Sequence, residues 1–257
     1  MSTQSTLATT LRSFHIPGRP IILTNVYDAA TARAIAALKG TQVLATASYA
    51  VAAAAGFTDN EMTLETNLAA VRAIAPVANE YRLPLTIDWQ DGYGERLEEG
   101  IEKLLDLGVV GINLEDFDRE RQKMYSTEEA VARVKRALAV AEKRGVPDFV
   151  VNARADVLLQ GGLIDEAIAR GKAYLAAGAT TVFVLGGSVH SITRSEVEQL
   201  TRAFDGKLNF GLRIGPGQLT VKELADIGVA RLSIGPRLQL IGMKAMTDEA
   251  EKLLLSR

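Results

Sequence analysis

Short runs of β-branched and apolar residues alternate with longer amphipathic stretches eight times along the 257 residues. The apolar runs predict strands at 21–26, 43–48, 85–89, 111–115, 149–153, 181–185, 208–212 and 231–234. Between them, apolar positions three and four residues apart predict helices over 29–39, 64–81, 96–107, 127–144, 164–177, 195–204, 221–227 and 243–255. A short leading helix over 7–14 is closed by Pro17 and Gly18. Eight βα units in one chain of this length is the count of a (β/α)8 TIM barrel, read as one α/β domain over 1–257. Gly40, Gly108, Gly145, Gly178 and Gly228 each follow a helical stretch, where a left-handed residue ends a helix, and so mark the bottom of the barrel. The opposite face then carries Asp28, Ser48, Asp88, Glu115, Arg154, Gly186, Asn209 and Gly235. A doubly wound sheet shares the alternation, but no Gly-rich dinucleotide fingerprint follows the first strand, which ranks it second.

Composition narrows the chemistry. A hydrophobic share of 47% supplies a large core, and 29 basic against 31 acidic residues gives a net charge of −2. No basic stripe marks a nucleic-acid surface, so a small molecule is the expected partner. The absence of cysteine excludes disulfides, Cys-ligated zinc and a thiolate nucleophile, and two distant histidines give no zinc site. No apolar run reaches the ~18 residues of a membrane helix. Residues 1–12 lack the apolar core of a secretory signal; being Ser/Thr-rich, acid-free and marked by Arg12, they leave an organelle matrix open beside the expected cytoplasmic location.

The acids are placed for a purpose. Asp28, Asp59, Asp88 with Asp91, and Glu115 with Asp116 fall at strand ends or in the loops that follow, and gathered carboxylates suit a hard cation such as Mg²⁺. Asp88 is the natural direct ligand, although a lone Asp there would serve equally to cap a helix. Glu115 at the equivalent place on the next strand shifts the balance, because two neighbouring carboxylates repel unless a cation or proton lies between them. Arg154 supplies positive charge one strand on, either to clamp a substrate carboxylate and stabilise an oxyanion or to pair with Glu115 or Asp156 as scaffolding. His190 faces the same side as a proton donor or a solvated loop residue, and His15 reads as structural. The run 211–217 lacks the Lys of a phosphate loop; Asn209 and Arg213 are candidates to line a pocket.

Six motifs in order, Asn25-Val-Tyr-Asp28-Ala-Ala, Gly56-Phe-Thr-Asp59, Asp88-Trp-Gln-Asp-Gly-Tyr-Gly94, Asn113-Leu-Glu-Asp116, Asn152-Ala-Arg154-Ala-Asp156 and Gly228-Val-Ala-Arg-Leu-Ser-Ile-Gly-Pro236, resemble the isocitrate lyase/phosphoenolpyruvate mutase superfamily over about residues 10–240. The resemblance implies a barrel that binds Mg²⁺, or Mn²⁺ in its place, and a small anionic oxo acid. By motif position, Asp88 holds the metal directly, Asp59, Glu115 and Gln90 hold its waters, Arg154, Glu115 and Asp59 serve catalysis, and Ser48, Tyr49, Asp88, Arg154 and Asn209 contact substrate. It implies a lyase breaking a C–C bond of an α-oxo or hydroxy dicarboxylate through a pyruvate-type enolate; P–C mutation or phosphonopyruvate hydrolysis, and an oxo-acid-binding barrel with weakened catalysis, are the alternatives. Three departures matter. Gln90 stands where the family usually has a second acid, the loop 117–125 lacks the lyase branch's Cys proton donor, and Ala47 replaces a usual Ser. That charged loop is read as a gate from which Arg121 or Lys123 could reach inward, against the simpler reading of a solvated turn. The resemblance also implies a homo-oligomer, a dimer of dimers exchanging its last helices, which the apolar stretch 238–255 permits.

Overall fold

The computed structural model describes residues 3–187 and 190–256; Met1, Ser2, Arg257 and two residues of the 186–190 loop, Ser188 and Val189, lie outside that description. The strands are β1 (Ile21–Leu23), β2 (Leu44–Ala45), β3 (Leu85–Asp88), β4 (Gly111–Glu115), β5 (Phe117–Asp118), β6 (Lys123–Met124), β7 (Val150–Ala155), β8 (Thr181–Val184), β9 (Leu208–Gly211) and β10 (Arg231–Ser233). Eight of them form one parallel sheet in the order β1-β10-β9-β8-β7-β4-β3-β2. A single parallel bridge, Val26 to Thr46, brings the edges together into a (β/α)8 barrel. Asn25 fastens that seam: its amide nitrogen donates to the Thr46 carbonyl at 2.7 Å, and its oxygen accepts from the Ile234 and Gly235 amides at 3.0 and 2.8 Å.

The helices are α1 (Thr3–Ser13), α2 (Ala29–Ala36), α3 (Ser48–Ala54), α4 (Leu64–Glu80), α5 (Leu97–Asp106), α6 (Thr127–Lys143), α7 (Ile164–Ala176), α8 (Arg194–Ala203), α9 (Val221–Ile227) and α10 (Arg237–Leu255). Each of the five glycines expected to end a helix has a positive φ, from 77° at Gly145 to 107° at Gly40. Several elements differ from the sequence expectation: β1 ends at Leu23 rather than 26, α1 begins at Thr3 rather than 7, and α2 ends at Ala36 rather than 39. The second strand stops at Ala45, and Ser48 instead begins α3, because Ser-Tyr-Ala-Val-Ala-Ala-Ala is rich in the best helix former. β7 runs on to Ala155 and so contains Arg154. The short antiparallel pair β5–β6 occupies the 117–125 loop. Finally, α10 begins at Arg237 rather than 243 and leaves Leu240, Ile241, Met243, Met246 and Leu253 exposed. No described helix is long and apolar enough to cross a membrane.

Apolar side chains fill the space between sheet and helices, but the barrel interior is polar. Thr181 Oγ1 donates to Asn152 Oδ1 at 2.6 Å, the Asn152 amide donates to Asn113 Oδ1, and the Asn113 amide donates to Asp88 Oδ1 at 3.3 Å. This line of donors crosses β8, β7, β4 and β3 and ends on a carboxylate at the barrel mouth. Below Asp88, Trp89 is fully buried against α5, where Gly100 makes room for its ring: a Cβ there would lie 2.7 Å from Trp89 Cζ2. Gly100→Ala should therefore destabilise the fold by about 1–3 kcal/mol, overcoming the helix-propensity gain of about 1 kcal/mol. Urea denaturation checks this; an unchanged or raised midpoint would contradict it.

Candidate active site at the barrel mouth

A cavity of about 740 Å³ opens at the C-terminal ends of the strands, with Ser48, Tyr49, Asp59, Asp88, Asn113 and Arg154 on its wall. A carboxylate at the end of β3 has to be held against the repulsion of its neighbours. Asp88 Oδ2 accepts from the Ser48 amide at 2.8 Å, at the start of α3, while Oδ1 takes the Asn113 amide. Its own N–H donates to Thr46 Oγ1 at 2.9 Å. A carboxylate has about four lone-pair directions, so two remain for a ligand in the cavity.

Arg154 is the central cation. Its Nε and Nη2 donate to the two oxygens of Asp156 at 2.6 and 2.8 Å, and Nη1 lies 2.6 Å from Glu115 Oε1. Burial opposes its charge, but Asp156 and Glu115 more than offset this and raise its pKa. Two of its five N–H groups are thus hydrogen-bonded to Asp156, Nη1 meets Glu115 Oε1 as an ion contact, and N–H groups on the terminal nitrogens remain for a ligand. Glu115, behind it, is 2% exposed, and burial pushes its carboxyl up to about 8 despite Arg154. Arg154 is paired with Glu115 and Asp156, as the scaffolding reading expects, and it also lines the cavity.

A second arginine, which the sequence reading overlooked, completes the charge pattern. Arg119 Nη2 donates to Asp59 Oδ2 at 2.8 Å and lies 3.3 Å from Glu115 Oε2, and its Nη1 donates to the Asp59 carbonyl at 2.8 Å. Burial works to raise the Asp59 pKa, yet Arg119 and further donors hold it below the usual carboxylate range. Gln90, buried and left-handed at φ 50°, donates its amide nitrogen to Asp59 Oδ1 and carbonyl, while its Oε1 is buried with no partner. The spacing of Arg119 four residues after Glu115 was the available signal. Arg121 points outward and pairs with Asp118, and Lys123 is exposed on β6.

The remaining candidates divide clearly. Asp28 is a helix cap, accepting from Thr31 N at 2.7 Å in a capping box, rather than a member of the acidic cluster. Asp91 accepts from Tyr93 N and Tyr125 Oη and supports the turn. Asn209 is fully buried and exchanges hydrogen bonds with Ser233, which lines the cavity in its stead. Arg213 lines the cavity and donates to Ser191. His190 pairs with Glu196 at 2.7 Å; His15 is half-buried against Leu11 and Arg231, and desolvation pushes it down to about 3, so it is neutral.

The donor chemistry suits a hard divalent cation: two lone-pair directions of Asp88, an orphaned amide oxygen on Gln90 and the carboxylates of Asp59 and Glu115. As the side chains stand, no group of three acids or histidines among the described residues converges closely enough to hold an ion. Arg119 lies between Asp59 and Glu115, in contact with both.

A family model for phosphoenolpyruvate phosphomutase matches residues 11–254, and the chain belongs to that family, within the PEP mutase/isocitrate lyase superfamily. It is 31% identical over 239 residues to the Uncharacterized protein Rv1998c of Mycobacterium tuberculosis, covering 92% of this chain and 85% of that one. An oxaloacetate decarboxylase of Rhodopseudomonas palustris is 30% identical over 161 residues, 60% of this chain and 53% of that one. Among solved structures, a provisionally named phosphonomutase from Burkholderia cenocepacia J2315 superposes with a TM-score of 0.87 at 34% identity, covering 97% of this chain and 99% of that one. A 2,3-dimethylmalate lyase superposes at 0.82 and 26% identity, covering 98% and 88%. A phosphonopyruvate hydrolase solved with oxalate and Mg²⁺ shares the fold at 0.83 and 23% identity, covering 100% and 88%.

Behind the site, Asp116 accepts from the Asp156 amide at 2.8 Å and from Tyr174 Oη at 2.5 Å. Burial, reinforced by Asp156, pushes its carboxyl up from 3.8 to about 6. A raised pKa means that the folded protein favours the neutral acid, so this stabilisation is complete below about pH 4 and is lost as pH rises through about 6. The loss is on the order of 3 kcal/mol. Asp116→Asn should flatten the slope of unfolding free energy between pH 4 and 6.5, measured by urea melts; an unaltered slope would assign the pH dependence elsewhere.

Proposed function

We propose that this member of the phosphoenolpyruvate phosphomutase family is a Mg²⁺-dependent lyase that cleaves a carbon–carbon bond of a small α-oxo or hydroxy dicarboxylate through a pyruvate-type enolate, with Mn²⁺ as an alternative ion. One observation carries the reading: Asp88, with lone pairs free, and Arg154, with N–H groups free on its terminal nitrogens, face the same cavity at the barrel mouth. The kinship with an oxaloacetate decarboxylase and a 2,3-dimethylmalate lyase supports it.

For an oxo acid, the bond to the carbon beside the ketone breaks, its electron pair moves onto that carbon and the former carbonyl oxygen, and carbon dioxide leaves. A proton delivered to the carbon then completes pyruvate. Arg154 stabilises the oxygen as charge develops on it, held rigid by Asp156 and Glu115 so that little reorganisation is needed. When bound, the divalent ion supplies Lewis-acid stabilisation to the same oxygen, with Asp88 as its direct ligand and Asp59, Glu115 and Gln90 Oε1 holding its waters. Ser48 and Tyr49, on the same wall, receive the substrate's carboxylate. The exposed apolar positions of α10 support assembly into a homo-oligomer.

A second reading, an oxo-acid-binding barrel with weakened catalysis, is favoured by the engagement of Asp59 and Glu115 with Arg119 and by the nitrogen that Gln90 turns toward Asp59. The deciding experiment measures Mg²⁺-dependent release of pyruvate from oxaloacetate, substituted malates and phosphonopyruvate. Turnover of a C–C substrate should vanish in Asp88→Ala and fall about 100-fold in kcat/KM, some 3 kcal/mol of transition-state stabilisation, in Arg154→Lys. Silence across the panel with intact oxo-acid binding would establish the second reading. Gln90→Asp should lower kcat/KM several-fold in an enzyme adapted to its amide; a large gain would instead mark a decayed site.

A further inference from the structure

Most loops of this length leave their cations in water, yet Arg119 is turned inward, with its side chain 16% exposed. Its guanidinium spans two carboxylates from different elements: Asp59, after α3, and Glu115, at the end of β4. Those are the two acids that the reading above assigns to the waters of a divalent ion. Gln90 adds a third donor to the same place, its nitrogen 3.1 Å from Asp59 Oδ1. Every one of these contacts places an N–H on a carboxylate oxygen.

A water bound to Mg²⁺ also presents hydrogens outward, because its oxygen faces the metal. Arginine N–H groups and metal-bound waters therefore need the same acceptor lone pairs on Asp59 and Glu115. Both also place positive charge beside the same two acids, so each lowers the electrostatic gain left for the other. We propose that Arg119 is a positioning residue that competes with the divalent cation for Asp59 and Glu115 and thereby sets the metal affinity of the site. This inference rests on the proposed metal-dependent chemistry.

The backbone around Arg119 suits exchange between the two states. It lies in the turn of the β5–β6 pair, which has only two residues on each side, Phe117 opposite Met124 and Asp118 opposite Lys123. The turn is held mainly by its own contacts: Asp118 accepts from Arg121 N at 2.8 Å, Gln122 Nε2 donates to the Arg119 carbonyl at 2.6 Å, and one longer bond, Arg119 N to Asp91 Oδ2 at 3.4 Å, ties it to the segment after β3. Withdrawal of Arg119 breaks few contacts outside the site, and exposed segments such as 120–123 are those that open at low cost. Cation binding and loss of order in residues 117–124 should occur together.

Mn²⁺ titration of the full chain, followed by the electron paramagnetic resonance of the free ion, tests this without any turnover. Arg119→Gln should bind Mn²⁺ at least tenfold more tightly than the parent, with binding in both removed by Asp88→Ala. In the parent chain, saturating Mn²⁺ should speed amide hydrogen exchange across 117–124, a readout that does not require the variant to fold. Equal or weaker binding by a folded Arg119→Gln protein, no Mn²⁺ binding by either protein, or exchange that is unchanged or slowed by Mn²⁺ would overturn the proposal. The two hypotheses fail separately. Metal-dependent pyruvate release with unaltered affinity in Arg119→Gln would retain the lyase and reject this role, whereas tightened binding without turnover would do the reverse.

Discussion

Carboxylates taken out of water need positive charge within a few ångströms, and that requirement organises the mouth of this barrel. Glu115 and Asp156 share Arg154, and Glu115 and Asp59 share Arg119, so two guanidiniums and three acids form a continuous strip from β7 through β4 to the segment after α3. The strip uses arginine because a planar fork can meet two carboxylates at once, which a lysine ammonium cannot do with fixed geometry. Asp88 stands apart from it, held by an amide side chain and a backbone N–H rather than by an arginine contact. Unlike Asp59, which also lines the cavity, it faces the cavity without an arginine contact.

The polar interior serves the same end. Barrels of this class are usually filled with branched apolar side chains, yet here Thr181, Asn152 and Asn113 pass a hydrogen-bond direction from strand to strand until it reaches Asp88. Because each amide must give with its nitrogen and take with its oxygen, the chain has a single sense, and Asp88 is met by a donor. The carboxylate is thus joined by hydrogen bonds to β8, three strands away in the sheet order, as well as to the Ser48 amide beside it.

Much of this was legible in the sequence. The eight alternations gave the barrel, the bounds of β4 and α9 matched residue for residue, and the five glycines fell where left-handed residues end the helices. Asp88 and Arg154 came from strand position and meet at one cavity. What was missed has physical causes. The apolar run after Val43 reads as strand throughout, and only the helix propensity of its alanines, expressed once the chain leaves the sheet, converts Ser48 onward into α3. Asp28 followed by Thr31 is a readable capping box, overlooked because its place at a strand end suggested chemistry. Arg119 was missed because charge in a loop is normally solvated; its inward turn also depends on Asp59, sixty residues away in sequence, which its spacing from Glu115 does not report.

The seam of the barrel has a consequence of its own. Where neighbouring strands are laced by ladders, β1 and β2 meet through one bridge and the side chain of Asn25. That side chain gives one hydrogen bond and takes two, a combination that an aspartate, which only accepts, and a leucine, which does neither, both fail to reproduce. The closing joint is thus one backbone bridge and one side-chain hydrogen bond across the β1–β2 seam, with the same side chain anchored on its other face to the end of β10.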